Sequence, residues 1–276
     1  MDITADEIMV TCMAHLIHDG DVVAQGLATP LVTAAYLLAR ETHAPNLYFT
    51  SAIGQGICRN PAPMSITNIE SLWLDRSLTN VGFVRAAADI LPSLKPKEFF
   101  RPAQVDPWGN FNNVAIGRHY LTNPQRQARL RLPGTGGIPD VTTFIEGILL
   151  YVPQHSRVTF VENLDVVSGL GHTEKRRAGQ GPLALISNLG QFDFFNGKMR
   201  LVTIHPGVTL EHIQRHTGFQ FEIASDFHET SLPTEFELDI LRHKIDPYGI
   251  RKLELLSGPE RRQLLTKIIE QEQQGR

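Results

Sequence analysis

Ile8, Val10, Cys12, Met13, Leu16 and Ile17 recur at roughly helical spacing after Asp6 and Glu7, and Gly20 closes the stretch. Thr4 followed three residues later by Glu7 has the form of a capping box. A short apolar run, Asp21-Val22-Val23-Ala24, leads to Gly26, and Pro30 then begins an alanine- and leucine-rich helix ending near Arg40. Residues 47–50 form an extended run, so helix, strand, helix, strand is the opening rhythm, that of a doubly wound α/β sheet. It resumes with a helix over 81–91 and an extended segment over 98–102. The middle, 141–167, reads as short β-type runs broken by Gly and Pro. Residues 184–187, 192–195 and 199–204 read as strands and 210–216 as a helix after Pro206.

Residues 234–244 have the pattern of an amphipathic helix with Thr234 as N-cap and Glu235 and Glu237 in its first turn. The tail, 259–274, is helical, charged and glutamine-rich, with a narrow apolar stripe at Leu264, Leu265, Ile268 and Ile269 that suits either a partner surface or a solvated terminus. Without an internal repeat or a flexible linker, the expected organisation is one domain over 1–250 and a helical tail over 251–276.

Composition adds exclusions. The 276 residues are 42% hydrophobic and 20% charged, within the range of an ordinary soluble globular chain. A net charge of -3 with dispersed basic residues gives no nucleic-acid footprint. No apolar run approaches the length of a membrane span, and residues 1–20 carry acidic groups where a signal peptide would be positive, so a cytoplasmic protein is expected. Cys12 and Cys58 are too few for a disulfide framework or a zinc site and read as small buried thiols. His15 and His18 stand three residues apart on the first helix, but no acidic or cysteine cluster accompanies them. Together with His43, His205, His212 and His216 they give no metal site.

Three segments carry candidate chemistry. Gly134-Thr135-Gly136-Gly137, placed between two extended segments and followed by Asp140, allows close backbone approach and aims successive N–H groups at an anion or carbonyl oxygen. A plain tight turn has the same composition, and the loop lacks both the P-loop ending and the dinucleotide spacing. Ser51-Ala52-Ile53-Gly54-Gln55-Gly56 follows a strand directly, at the carboxyl end where open α/β sheets bind ligands. Ser51 is not in a nucleophile elbow, and a hydrogen-bonding role fits it better. Gln104-Val105-Asp106-Pro107-Trp108-Gly109-Asn110 has the residues of a turn, which by itself means only a connection between strands.

Taken together and in order, these segments resemble the β subunits of class I CoA-transferases. Asp21-Val22-Val23 to Gly26, Pro30-Leu31 and the helix ending Thr42-His43-Ala44-Pro45-Asn46 resemble the family's N-terminal signature. Residues 104–112, through Phe111-Asn112, resemble its Gln-Val-Asp-x-x-Gly-Asn-x-Asn segment, and Gly134-Thr135-Gly136-Gly137-Ile138-Pro139-Asp140 its Gly-Ser-Gly-Gly-Ala-Asn-Asp loop, with Pro139 a departure. The resemblance spans about residues 5–250 and implies an open, largely parallel α/β sheet. It also implies a homologous α subunit, assembled as α2β2, around an acyl-CoA whose coenzyme A is part of the substrate and no permanent cofactor. The acyl-CoA pocket would be lined by Ser51, Ala52, Ile53, Gly54, Asn110, Gly134, Thr135, Gly136, Gly137 and Asp140.

Glutaconate-type transferases carry a nucleophilic glutamate in the turn after Ala-Pro and its following strand; that position falls on Ala52 here. A methyl group cannot attack a thioester, and the nearest carboxylates in sequence, Glu41 and Glu70, have no motif support. The blocks 161–171, 187–194 and 205–209, with Leu232-Pro233-Thr234 and Ile245-Asp246-Pro247, resemble the family's cholesterol ring-degrading hydrolase branch, whose β subunit also lacks the glutamate. The resemblance therefore implies ring-opening hydrolysis in steroid or ring-acid catabolism, with the catalytic carboxylate in the α subunit. CoA transfer by a displaced carboxylate and acyl-CoA decarboxylation are the alternatives. The decarboxylating relative has a cysteine at the equivalent turn, whereas Cys58 lies six positions on. A non-catalytic regulatory module fits least, because no basic helix-turn-helix precedes the domain.

Overall fold

A computed structural model describes residues 2–26, 28–51, 56–117, 129–177 and 179–274. The chain divides into two compact units, Met1–Ala86 with Pro96–Phe99 and Ser231–Arg276, and Ala87–Lys95 with Phe100–Thr230.

In the first unit, α1 (Ala5–His15) begins as the Thr4/Glu7 pattern predicts, with the Thr4 amide donating to Glu7 Oε2 at 3.0 Å. Strand β1 (Val22–Gln25) leads to α2 (Pro30–Thr42), whose proline occupies the first turn, where its missing N–H costs no helical bond. Strands β2 (Tyr48–Ser51), β3 (Gly56–Cys58), β4 (Thr79–Asn80) and β5 (Lys97–Phe100) complete its strand array in the order β5-β1-β2-β3-β4. β1 runs parallel to both β2 and β5, while β3 and β4 turn back antiparallel. Tyr36 of α2 lies 6.1 Å from Phe99, and Gln25 Nε2 donates to Thr33 at 2.7 Å, so α2 covers the sheet face that carries Gln25 and Phe99.

The carboxyl-terminal segment packs back on this unit. Arg251, 2% exposed, meets three buried carboxylates: Asp6 at 2.7 Å, Glu7 at 3.0 Å and Asp246 at 2.9 Å. Its contact with Asp6 is an ion pair without hydrogen-bond geometry. Burial pushes the Glu7 carboxyl up, but hydrogen bonds from Arg242 and Thr4 and the charge of Arg251 outweigh it and bring it down to about 2. The helix Gly258–Gln274 seats Ile268, fully buried, against Ile250 and Leu253, with Leu264, Leu265 and Met64 around them. The apolar stripe of the tail thus packs on its own chain, which corrects the expectation of a partner surface or a solvated end.

In the second unit, β6 (Gln104–Val105) pairs with β7 (Phe111–Asn112) and β8 (Ala115–Ile116) with β9 (Leu130–Arg131). The larger array has the order β14-β13-β12-β11-β10, made of β10 (Gly147–Val152), β11 (Ala184–Ser187), β12 (Gly190–Phe195), β13 (Lys198–Ile204) and β14 (Glu222–Glu229). β10/β11 and β13/β14 are parallel, and β11, β12 and β13 form an antiparallel meander. Asn196 (φ 52°) and Gly197 (φ 77°) supply the two left-handed residues of the β12–β13 hairpin. Phe111, Leu150, Phe160, Leu185, Phe192 and Ile213 are among the side chains of the core.

The α/β class is as expected, with a mixed sheet and helices. Three local expectations are corrected. Over 81–91 the helix is broken into Phe83–Arg85, a π turn Ala86–Ile90 and Leu91–Leu94, because Pro92 cannot donate to the carbonyl four residues back. The helix expected over 234–244 keeps its Thr234/Glu237 capping box but is α only over Glu235–Asp239, then π over Ile240–Ile245. Within 141–167 only Gly147–Val152 forms a sheet strand, and Phe160 adds an isolated bridge to Val105.

Candidate functional site

Parallel strands place their carboxyl ends side by side, and in the first unit the register matches Gln25 of β1 with Ser51 of β2. Ser51, the first residue of the predicted turn, therefore stands at a strand carboxyl end. Ala52, Ile53, Gly54 and Gln55 lie outside the described residues. Gly56 is required by packing: a Cβ there would come within 2.7 Å of the Thr79 carbonyl and closer still to Ser77 and Asn80.

The neighbouring strand β5 carries, beside Ala24, a group that the sequence reading passed over. Glu98 of β5 pairs in register with Ala24. By strand alternation it shares a face with Ala24 and Thr50, opposite the one that α2 covers. Its carboxylate stands over Gly26, where a Cβ would lie 3.8 Å from Glu98 Oε1 and 4.0 Å from Thr29 Cγ2. Burial pushes Glu98 up to about 7, and no cation or hydrogen-bond donor offsets it among the described residues. The Thr29 hydroxyl is buried without a hydrogen-bond partner among the described residues, and Ala28 is held at φ 53°. Of the two carboxylates weighed from sequence, Glu41 is paired with Lys244, and Glu70 falls on the helix Ile69–Arg76.

In the second unit the Gln104–Asn112 motif folds into a self-satisfied polar brace. Asp106 accepts from the amides of Trp108 (3.0 Å) and Asn110 (2.9 Å) and from Asn110 Nδ2 (2.9 Å). Burial raises the Asp106 carboxyl, and these bonds hold it back in part. Asn110 Oδ1 accepts from the Gly171 amide at 2.8 Å. A Cβ on Gly171 would lie 2.2 Å from the Trp108 carbonyl oxygen, so this glycine permits the two loops to touch backbone to backbone. Asn112, fully buried, donates to Gln104 Oε1 and to the Ala115 carbonyl, both at 2.7 Å, and Gln104 in turn donates to Asp165 at 3.0 Å. Asn110 is thus a positioning residue that ties the motif to the block 161–171.

The glycine loop departs from its expected surroundings. It is followed by a helix, Ile138–Phe144, not an extended segment, because Pro139 suits a first helical turn. Gly134, Gly136 and Gly137 have φ of 110°, 53° and 94°, and nothing stands within 4 Å of a Cβ placed on Gly134 or Gly136. The loop therefore offers open backbone. Asp140 is exposed in the helix's first turn, where its charge complements the helix dipole. Thr142 Oγ1 accepts from the Leu170 amide at 3.1 Å, and Arg176 donates to the Leu170 and Ile145 carbonyls at 2.9 and 2.7 Å. These bonds tie the loop's helix to Leu170, beside the Gly171 held by Asn110.

No cluster of three or more potential metal ligands occurs among the described residues. His155 bonds to Ser187 (3.1 Å) and Thr217 (2.9 Å), and His205 to Thr230 and the Ser187 carbonyl, both at 2.9 Å. Burial lowers them to about 3 and about 4, so both are neutral braces of the core. Both cysteines are buried, and burial raises Cys12 to about 12 and Cys58 to about 11. No helix among the described residues is long and apolar enough to cross a membrane.

An α/β fold with open glycine backbone at Gly134 and Gly136 is of a kind that can meet a ligand. The sequence profile of the coenzyme A transferase family matches residues 7–216, and the chain belongs to that family. It is 29% identical to the B subunit of the 3-oxoadipate CoA-transferase of Pseudomonas knackmussii, over 87% of this chain and 92% of that one. It is 28% identical to the cholesterol ring-cleaving hydrolase IpdB subunit of Mycobacterium tuberculosis H37Rv, over 92% and 99%. The crystal structure of the decarboxylase AibA/AibB is similar at a TM-score of 0.77, with 31% identity over 91% of this chain and 98% of that one. The first two are subunits of their enzymes, and the third combines AibA and AibB.

Proposed function

We propose that this chain is the β subunit of a two-subunit acyl-CoA enzyme that opens a ring by hydrolysis and retro-Claisen C–C cleavage. The observation that carries the reading is Ala52, where the transferase nucleophile would stand: the sequence from Ser51 to Gly56 holds no carboxylate. Without that group the covalent acyl and CoA intermediates of transfer cannot form in the usual place. The likeness to the IpdB subunit is in keeping with ring cleavage, and the comparable likeness to a transferase B subunit leaves Ala52 to carry the choice. A homologous α subunit, in an α2β2 assembly, contributes the carboxylate that activates water against a ring carbonyl. The open backbone at Gly134 and Gly136 presents N–H groups to the substrate. The isolated chain is then inactive, and the enzyme works in the cytoplasm.

The test is to copurify the chain with its α subunit and incubate the complex with a panel of acyl-CoAs plus acetate or succinate, following products by mass spectrometry. A product that gains one water and keeps its CoA supports the proposal. A new CoA ester of the added acid indicates transfer, and loss of CO2 indicates decarboxylation; either outcome sinks it.

A further inference from the structure

Other buried carboxylates of the first unit have partners: Asp6, Glu7 and Asp246 surround Arg251, Glu237 meets His15 at 2.7 Å, and Glu254 accepts from the Leu31 amide at 2.9 Å. Glu98 meets no cation among the described residues, although its strand position is half-buried. A Cβ on Gly26 would meet both the Glu98 carboxylate and the Thr29 side chain, whose hydroxyl has no hydrogen-bond partner among the described residues, and Ala28 beside it is held at φ 53°. The face Glu98 shares with Ala24 and Thr50 carries small side chains. Buried polar groups in folded proteins are almost always paired, and strained backbone concentrates where ligands bind. Two groups unpaired among the described residues, beside strained backbone and next to the carboxyl end of β1, have the makings of a substrate contact.

We infer that Glu98 is a catalytic proton-transfer residue supplied by this chain to the acyl-CoA site, an inference that rests on the acyl-CoA reading above. Ring opening requires two proton movements. The partner's carboxylate takes a proton from water as the water oxygen bonds to the ring carbonyl carbon. The adjacent C–C bond then breaks, and its electron pair remains on the departing carbon as an enolate. Glu98, as a carboxylic acid, gives that carbon its proton. It is reprotonated through solvent by the proton the partner's carboxyl releases, so one turnover adds one water and restores both groups. A glutamate at its ordinary value would be almost wholly ionised at neutral pH, whereas burial keeps a large share of Glu98 protonated. Tyr36, which faces this strand from α2, is held neutral because burial raises it well above its usual range.

The experiment is Glu98→Gln in the copurified complex, with acyl-CoA binding measured by calorimetry alongside turnover. The expected result is a fall in kcat of about 100-fold or more, with KM little changed and acyl-CoA binding retained. The decline of wild-type kcat above about pH 7 disappears in the variant, and Glu98→Asp recovers part of the rate. A variant that binds and turns over like wild type, with the same pH profile, overturns the role of Glu98 and leaves the acyl-CoA reading standing. Failure of the wild-type complex to bind any acyl-CoA overturns that reading, and this inference with it. An acyl group or CoA trapped covalently on Glu98 by hydroxylamine or borohydride makes it a nucleophile and overturns proton transfer.

Discussion

Replacing Glu98 with glutamine changes stability in a direction that its environment fixes. The carboxyl titrates at 4.5 in an ordinary setting and at about 7 in the fold, where burial disfavours its charge. Below pH 4.5 it is protonated in both states and contributes nothing to the balance. As pH rises from 4.5 toward 7 the unfolded chain releases the proton and the folded chain keeps it, so wild-type stability falls. Above about 7 the full cost is present. Each tenfold change in acid dissociation constant is worth about 1.4 kcal/mol, which gives ~3 kcal/mol, or ~2 kcal/mol after allowing for residual exposure. Glutamine has no such titration. The gap between Glu98→Gln and wild type, from urea midpoints at matched pH, is therefore expected to open between pH 4.5 and about 7 in favour of the variant. Using the difference cancels every titration the two proteins share. Parallel stability curves, with a gap below ~0.5 kcal/mol at pH 8, would refute the burial argument.

Three further outcomes follow from contacts described above. Arg251→Ala leaves Asp6, Glu7 and Asp246 buried without their shared cation and is expected to cost about 3–5 kcal/mol in chemical denaturation; a loss under about 1 kcal/mol would mean that the cluster does not hold α1 to the carboxyl-terminal segment. Gly171→Ala forces a methyl into the Trp108 carbonyl and is expected to lose about 3 kcal/mol or more, measured the same way, whereas Gly134→Ala, with open space around it, suffers only from its φ. Cys12 and Cys58 are expected to react with a thiol reagent only on unfolding, since burial raises both well above neutrality; fast labelling of the native protein would contradict their placement.

Local signals made much of this fold legible. The capping boxes at Thr4/Glu7 and Thr234/Glu237 mark real helix starts, and Leu210–His216 was readable from apolar spacing after Pro206. Strands β11 and β13 are runs of apolar or alternating residues with turn residues between them. β14 carries Glu222, Asp226 and Glu229 on a largely exposed array edge, where charge protects an edge but erases the apolar signal. The helix after Gly137 was hidden because a short Ile-Pro-Asp-Val run has no period long enough to distinguish it from a strand. The role of the Gln104–Asn112 motif is also tertiary: that Asn110 grips Gly171, 61 positions on, is not encoded locally. Glu98 left one faint signal, a lone carboxylate beside Phe99 and Phe100 in an extended segment. Nothing in sequence shows that Gly26 opens beneath it or that no cation arrives among the described residues.

The central claim is that a CoA-transferase-family cradle has exchanged transfer for addition of water. The most direct measurement is turnover of an acyl-CoA by the copurified complex in oxygen-18 water, with free acetate or succinate present. The account predicts one heavy oxygen in the newly formed carboxylate and CoA still attached to the same carbon skeleton. Heavy oxygen absent from the product, with CoA appearing on the added acid, would contradict it.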